Sequence, residues 1–211
     1  LRTARVFEWR WRVGERDVLA VRVGDRRIER DAIVHPDGAI ELDASDADVQ
    51  HYERLASHVL YSNPALRAPE GVVVRNQRSQ RGLWSYGISG DLPIVLVRIG
   101  DLAALALVGH ILKAQAYWRQ KGLIADVVVW NEDPSGYRQE LQEQIVALVT
   151  ALAGAPLLDR PGGVFIRRSE QISEDDKVLI QSVARVVVSD TAGTLAEQIE
   201  RLPTEHAAST M

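Results

Sequence analysis

Alternating aromatic and charged residues open the chain. Every second position from residue 7 to residue 11 is aromatic, and charged residues lie between them. This period of two is typical of a half-buried β-strand. Turn sequences follow at Gly24-Asp25 and His35-Pro36-Asp37-Gly38, between further apolar runs. Residues 1–44 are therefore predicted to form a small antiparallel β-rich segment.

One amphipathic helix is predicted after this segment. Ser45 suits an N-cap, Asp48 follows three residues later, and apolar residues then recur at steps of three and four. Pro64 ends the helix, because the residue before a proline avoids helical backbone. The next residues show no sustained period and hold several glycines and prolines. We predict a helix and a long loop over residues 45–93, and a loop of this length is usually functional or packed over another surface.

Branched aliphatic runs alternate with helical patterns over the rest of the chain. Strands that are apolar almost throughout and alternate with helices predict a parallel sheet covered on both faces. We therefore predict an α/β domain over residues 94–202, with a parallel sheet of at least four strands and covering helices, and a frayed tail over 203–211. The predicted strands cover residues 94–98, 125–131, 163–167 and 185–189. The predicted helices begin at Asp101, Asp133, Ser173 and Thr194.

Composition and charge narrow the possible functions. The 211 residues include 25 Lys and Arg and 29 Asp and Glu, so the net charge is −4, which disfavours a nucleic-acid binder. The absence of cysteine excludes disulfides and thiolate chemistry. The longest apolar stretch, residues 102–112, is too short to insert into a membrane, and no signal peptide is recognised. The first residue is Leu, which fits a segment of a longer protein.

Polar residues at the predicted strand ends give a candidate site. The carboxyl ends of parallel strands meet at one edge of a sheet, where ligands usually bind. Carboxylate, amide and guanidinium groups beside an aromatic ring suit a sugar, although Asp101 is equally explained as a helix cap and Glu132 with Arg167 as a surface ion pair. No cofactor and no metal site is predicted, since the five histidines lack zinc-like spacing. The candidate ligand-binding residues at this edge are Asp101, Trp130, Asn131, Glu132, Arg167 and Asp190.

Two residues in the predicted long loop carry further expectations. Trp84 lies among glycines, and we expect its ring to pack against the sheet; an exposed ring would instead favour a sugar-stacking role, so it is also a ligand-binding candidate. Ser89 in Gly87-Ile88-Ser89-Gly90 invites a serine-hydrolase interpretation. A nucleophilic serine of that class follows a strand and precedes a helix, whereas Ser89 precedes a predicted strand. No catalytic residue is therefore assigned. Dinucleotide binding is also disfavoured, because Gly100 is the single glycine of the first strand–helix turn.

An ordered succession of sequence blocks resembles one region of the cyclic β-1,2-glucan synthases. These are large proteins with glycosyltransferase-36 modules, which are similar to cellobiose phosphorylases and to glycoside hydrolase family 94. The blocks are residues 54–61 (RLASHVLY), 63–67 (NPALR), 83–97 (LWSYGISGDLPIVLV), 116–118 (AYW), 121–123 (KGL), 129–132 (VWNE), 159–165 (DRPGGVF) and 171–176 (QISEDD).

The resemblance implies an accessory role in glucan synthesis. In that family the region looks like a connecting domain of the phosphorylase-like half, and its blocks include neither the acidic metal-binding motifs of the transferase nor the catalytic acid of the phosphorylase. The expected partners are other domains of a larger parent protein and β-glucan, with no nucleic acid. The expected parent is associated with a bacterial inner membrane, and this segment is expected to be soluble. The alternatives are a small standalone α/β hydrolase or transferase and a pure interaction scaffold.

Overall fold

The computed structural model describes residues 7–13, 16–23, 26–34, 40–41, 44–61, 64–133 and 138–201. The chain divides into two compact units, Leu1–Val49 and Gln50–Met211. The predicted turns at residues 24–25 and 35–38, Pro134 at a predicted helix start, and the tail over 203–211 lie outside the described residues.

The first unit contains four strands, which are described by their backbone. They are β1 (Phe7–Val13), β2 (Arg16–Val23), β3 (Arg26–Val34) and β4 (Ile40–Glu41). Each strand pairs antiparallel with the next, so the sheet order is β1-β2-β3-β4. The β2–β3 register shifts between Leu19 and Val21, as at a β-bulge.

The second unit contains strands and helices that alternate along the chain. The helices are α1 (Asp46–Leu60), which begins in the first unit, α2 (Glu70–Val73), α3 (Arg81–Trp84), α4 (Leu105–Gln120), α5 (Arg138–Leu152), α6 (Glu174–Val183) and α7 (Leu195–Glu200). The strands are β5 (Ile94–Ile99), β6 (Asp126–Asn131), β7 (Val164–Arg168) and β8 (Val186–Ser189). No helix in the described residues is both long enough and apolar enough to cross a membrane.

The four strands of the second unit form a parallel sheet, which confirms the predicted α/β class. Their order is β7-β6-β5-β8, so the chain adds strands to one side of β5 and then crosses to the other. The predicted caps form at three α-helices. The Ser45 hydroxyl accepts the Asp48 N–H and the Ser173 hydroxyl accepts the Asp176 N–H, each at 3.2 Å, and Thr194 with Glu197 makes a reciprocal capping box.

Helices cover both faces of this sheet. Ile94 and Leu96 of β5 share a buried cluster with Val128 and Trp130 of β6 and with residues of α6. The alternate strand residues are also buried, and α4 and α5 pack on their side. The alternation of the pleat therefore assigns each strand-end side chain either to the α6 face or to the α4–α5 face.

Short helices, rather than irregular loop alone, fill residues 64–93. A 3₁₀ turn at Pro64–Leu66 precedes α2 and α3. Leu83 and Ile88 are the most deeply buried residues of this segment, at 1% and 0% exposure. The prediction that Trp84 packs against the sheet is wrong, because its side chain is 59% exposed. One turn of helix points adjacent residues in different directions, so burying Leu83 leaves Trp84 at the surface.

Buried polar groups hold the amino ends of β6 and β7 together. The Gln115 side-chain amide of α4 donates to the backbone oxygens of Ala125, Gly162 and Gly163 at 2.9, 3.1 and 3.0 Å. The fully buried Asp126 accepts the Gly162 N–H through Oδ1 at 2.6 Å. Its Oδ2 has no hydrogen-bond partner in the described part of the chain. Burial therefore raises the pKa of the Asp126 carboxyl, and the charge of Asp91 adds to the rise, while the Gly162 hydrogen bond opposes it.

We expect Asp126→Asn to remove a pH-dependent loss of stability. A carboxyl whose pKa is raised by folding binds its proton more tightly in the native state than in the unfolded chain. Its contribution is therefore fully present below the ordinary pKa of 3.8 and is lost as the pH rises through the native pKa. Asparagine keeps an acceptor for Gly162 without a charge. In urea unfolding from pH 4 upward, the free energy of unfolding of the variant should rise relative to that of the wild type. A difference between the two free energies that does not change with pH would contradict this.

Candidate site at the carboxyl edge of the sheet

The direction in which strands are added to the sheet reverses at β5, which has β6 on one side and β8 on the other. An acidic side chain bridges the ends of β5 and β8. Asp190, directly after β8, accepts the Gly100 N–H through Oδ2 at 2.6 Å. Asp101 caps the following 3₁₀ turn by accepting the Ala103 N–H at 2.9 Å. The backbone N–H groups that would receive a nucleotide phosphate at such a point are thus engaged with carboxylates, which agrees with the absence of a dinucleotide fingerprint.

Pleat alternation separates two of the predicted ligand residues. Asn131 lies on the α5 side, where its Nδ2 donates to Gln142 Oε1 at 3.2 Å and its Oδ1 accepts the Asp133 N–H at 3.1 Å. Glu132 instead meets Arg98 on the α6 side, with 3.0 Å between Oε1 and Nε. The predicted convergence of Asn131, Glu132, Arg167 and Asp190 in one cleft is met only in part. Asn131 and Glu132 line one cavity, although their polar groups bind opposite sides, whereas Arg167 pairs with Asp159 and Asp190 accepts the Gly100 N–H.

Arg167 belongs to the edge strand β7 and follows Phe165 on the face that α6 covers. Its Nη1 pairs with Asp159 Oδ1 at 2.7 Å, and its guanidinium also donates to the backbone oxygens of Ile166 and Tyr86. The alternative prediction of a Glu132–Arg167 ion pair is consequently wrong. Each residue has a different partner, Arg98 for Glu132 and Asp159 for Arg167.

Trp130 belongs to the core. It is 1% exposed and packs in the cluster formed by α6 and the sheet. In register it stands between Arg98 of β5 and Arg167 of β7, on the face that α6 covers. Its ring therefore offers no open face on which a sugar could stack.

Two adjoining cavities do open at this edge, between the strand ends and α6. Their volumes are about 230 and 600 Å³, and they share Glu132, Ser169 and Lys177. The smaller cavity also reaches Asn131 and Arg168, and the larger one extends to Arg78 and Arg98. Together they form what we call the edge cleft.

Ion pairs occupy most of the charged groups of the edge cleft. Besides Arg98–Glu132, Arg78 Nη2 lies 3.2 Å from Asp175 Oδ2 and Lys177 Nζ lies 2.6 Å from Glu174 Oε1. Such partly exposed pairs contribute at most about 1 kcal/mol each. No group of three or more potential metal ligands occurs in the described residues. The cleft presents mixed donors and acceptors, which suit an uncharged hydroxyl-rich molecule better than an anion.

A second surface, on the turn that carries α3, displays Trp84. The indole Nε1 donates to the Ser89 backbone oxygen at 3.3 Å, and Gln80 Nε2 donates to the same oxygen at 2.8 Å. The Gln80 amide also reaches Asp91 Oδ1 at 3.3 Å. We call the surface formed by Trp84, Gln80, Arg81, Ser89 and Asp91 the indole platform.

Ser89 takes part in this turn and shows no features of a nucleophile. Its hydroxyl oxygen accepts the Asp91 N–H at 3.2 Å. The described histidines lie on α1 and α4, whereas the turn packs with α6 on the opposite face of the sheet. A base close enough to activate the hydroxyl is therefore not provided by these histidines.

Sequence reasoning missed several residues of the edge cleft. Arg98 could have been found, because it is the one charged residue of β5 and alternates with Ile94 and Leu96. Lys177 could have been placed near the edge, because it lies in the first turn of a helix that follows β7. Arg78, on the segment after α2, carries no sequence signal of its approach to α6.

The comparisons with known proteins agree with the sequence resemblance. No known protein-family profile matches the chain. The chain is 34% identical over 151 residues to the cyclic beta-(1,2)-glucan synthase NdvB of Rhizobium meliloti (strain 1021). The match covers 71% of this chain and 5% of the synthase, so the chain corresponds to a small part of that relative. The resemblance of this chain to a region of the cyclic β-1,2-glucan synthases is therefore confirmed.

Proposed function

We propose that the chain is an accessory, non-catalytic domain of a cyclic β-1,2-glucan synthase-like glycosyltransferase and that it contacts the glucan. One observation carries the proposal: most of the chain matches the synthase, yet the match covers only 5% of it. A segment of that size within a much longer protein fits one domain among several.

The chemistry of the edge cleft supports a non-catalytic role. Of the five described carboxylates that line it, Glu132, Glu174 and Asp175 are each engaged with a cation, and the other two are Asp133 and Glu170. Glycoside chemistry needs two carboxyl groups on opposite sides of one bond, one of them with a raised pKa. The described carboxyl with a clearly raised pKa is Asp126, and it lies buried at the amino end of β6, away from the cleft.

The parent protein and its location belong to the same proposal. The parent would be associated with a bacterial inner membrane, and the other domains of that parent would be the protein partners of this segment. The support for such partners is that most of the relative's length lies outside the matched region.

We expect the isolated chain to show no turnover of β-1,2-glucan. It should neither hydrolyse nor phosphorolyse the polymer, nor transfer glucose to it from UDP-glucose, because the described residues do not assemble an acid, a base and a nucleophile. Chromatography of reaction products after prolonged incubation at micromolar protein tests this.

Two variants make the experiment decisive. Turnover above the no-enzyme blank that disappears in Glu132→Gln or Ser89→Ala would overturn the non-catalytic role and favour a small hydrolase or transferase. Turnover that persists in both variants would point to a contaminating enzyme, and repurification to constant specific activity would then identify its source.

A further inference from the structure

Trp84 differs from Trp118 and Trp130, the two other tryptophans whose side chains the structure describes. Trp118 and Trp130 are each 1% exposed, whereas Trp84 is 59% exposed. A large aromatic surface left in water forgoes the stabilisation that its burial would give. An isolated exposed side chain needs no explanation by itself, so the argument depends on how the turn holds this ring.

The turn below the indole is anchored in the core and closely packed. Leu83 and Ile88 anchor it in the core, and the Ile88 N–H donates to the Leu83 oxygen at 3.2 Å. Gly90 has φ +77°, and a Cβ there would lie 2.8 Å from Leu83 Cδ1 and 2.9 Å from Gln80 Cγ. The turn therefore closes on a glycine that few other residues could replace.

The indole itself is held in place by the same turn. Its N–H is occupied by the Ser89 oxygen, so the exposed part of the side chain is the carbon surface of the ring. Tyr86, two residues on, donates its hydroxyl to Asp176 Oδ2 at 3.0 Å and thereby ties the turn to α6. A ring fixed in this way loses little side-chain entropy when a ligand packs on it.

The surroundings of the ring fit an uncharged, hydroxyl-rich ligand. Gln80 supplies an amide and Asp91 a carboxylate, which the turn joins by a hydrogen bond, and Arg81 lies three residues before Trp84 in α3; all three residues are exposed. Asp91 and Arg81 have opposite charges, so the rim has no net preference for an ion. An apolar ring face with mixed donors and acceptors at its edge matches the C–H face and the hydroxyls of a pyranose.

We propose that the indole platform binds a glucosyl residue of β-1,2-glucan by stacking on Trp84. This inference rests on the proposed function for the identity of the sugar, and it places the contact on the α3 turn rather than in the edge cleft. Gln80 borders the ring, because its amide donates to the same Ser89 oxygen as the indole N–H.

Calorimetric titration of linear β-1,2-glucooligosaccharides into the chain tests the proposal. We expect Trp84→Ala to weaken binding at least about tenfold and Trp84→Phe to weaken it less than about threefold, because phenylalanine keeps a ring face. Val74→Ala is the matched control, since Val74 is apolar and 76% exposed but lies outside the platform. Lys177→Gln in the edge cleft should also bind like wild type.

Salt provides a second readout. Stacking of a neutral sugar should be nearly independent of ionic strength, whereas an ionic contact through Arg81 or Asp91 would weaken as salt increases. Thermal unfolding of each variant shows whether the domain still folds, and Trp84→Phe keeps the test valid if Trp84→Ala is destabilised.

Three results would overturn the proposal that the indole platform binds the sugar. They are no binding by the wild type at millimolar oligosaccharide, equal binding by Trp84→Ala and the wild type, and loss of binding in Lys177→Gln alone. Loss of binding in Lys177→Gln alone would indicate that the sugar binds in the edge cleft. No binding by the wild type would favour another domain of the parent as the partner of the platform. None of these results changes the expected absence of turnover. Failure of the binding proposal is therefore distinguishable from failure of the proposed non-catalytic role.

Discussion

Gly163→Ala is expected to unfold the second unit or to destabilise it by more than about 4 kcal/mol, which is the range of the most severe point mutations. A Cβ at this position would lie 1.9 Å from the Leu157 backbone oxygen and 2.8 Å from that of Arg160. Both neighbours are backbone atoms, so relief requires the chain before β7 to move. The same movement would disturb the Gly163 oxygen that Gln115 binds.

Gly71→Ala is the matched control for this substitution. No atom lies within 4 Å of a Cβ at Gly71, and its φ is not in the left-handed region. It lies in α2, where alanine is the better helix former, so a neutral or slightly stabilising effect is expected. Urea unfolding of both variants gives the comparison, and similar free energies of unfolding would show that the backbone before β7 adapts freely.

Trp130→Ala should cost about 3–5 kcal/mol, the usual range for removing a large buried aromatic side chain. The ring fills the space between α6 and the middle of the sheet, next to Val128 and Phe165. Its loss would leave a cavity that the rigid parallel strands cannot close. Trp130→Phe should recover part of the loss, because the smaller ring still occupies the centre of the site.

Trp84→Ala provides the comparison for the same chemical change at the surface. We expect it to lower the free energy of unfolding by no more than about 1 kcal/mol, since the ring is 59% exposed and contributes one hydrogen bond to the turn. Denaturant titrations monitored by circular dichroism avoid the change in fluorescence. If Trp84→Ala proved as damaging as Trp130→Ala, the α3 turn would depend on its indole for folding.

The fold of the second unit was largely predictable because its signals are local. The branched runs of β5, β6 and β8 have a length and composition that favour buried parallel strands, and Ser173 and Thr194 carry capping chemistry within three residues. The structure of residues 64–93 was not predictable in this way. A helix of four residues makes a single turn, so no apolar pattern can repeat along it. The choice between Leu83 and Trp84 as the buried residue depends on the distant helix α6.

The site was harder to predict because strand order and pleat act together. The sequence places Asn131 and Glu132 at the same strand end, but the pleat sends one to Gln142 and the other to Arg98. The partner of Arg167 depends on β7 being an edge strand, which follows from the order of pairing and not from any local pattern. The sequence could predict which polar residues lie near the edge of the sheet. It could not predict which of them contact one another.

The order β7-β6-β5-β8 has a consequence for synthesis of the chain on the ribosome. The pairings β5–β6 and β6–β7 join successive segments, so they can form as soon as each strand emerges. The β5–β8 pairing, with its Gly100–Asp190 hydrogen bond, joins positions 90 residues apart. Until β8 appears, one side of β5 presents unpaired backbone groups, and pairings so distant form slowly. We therefore expect a nascent chain stalled before β8 to be the form that chaperones bind and proteases cut.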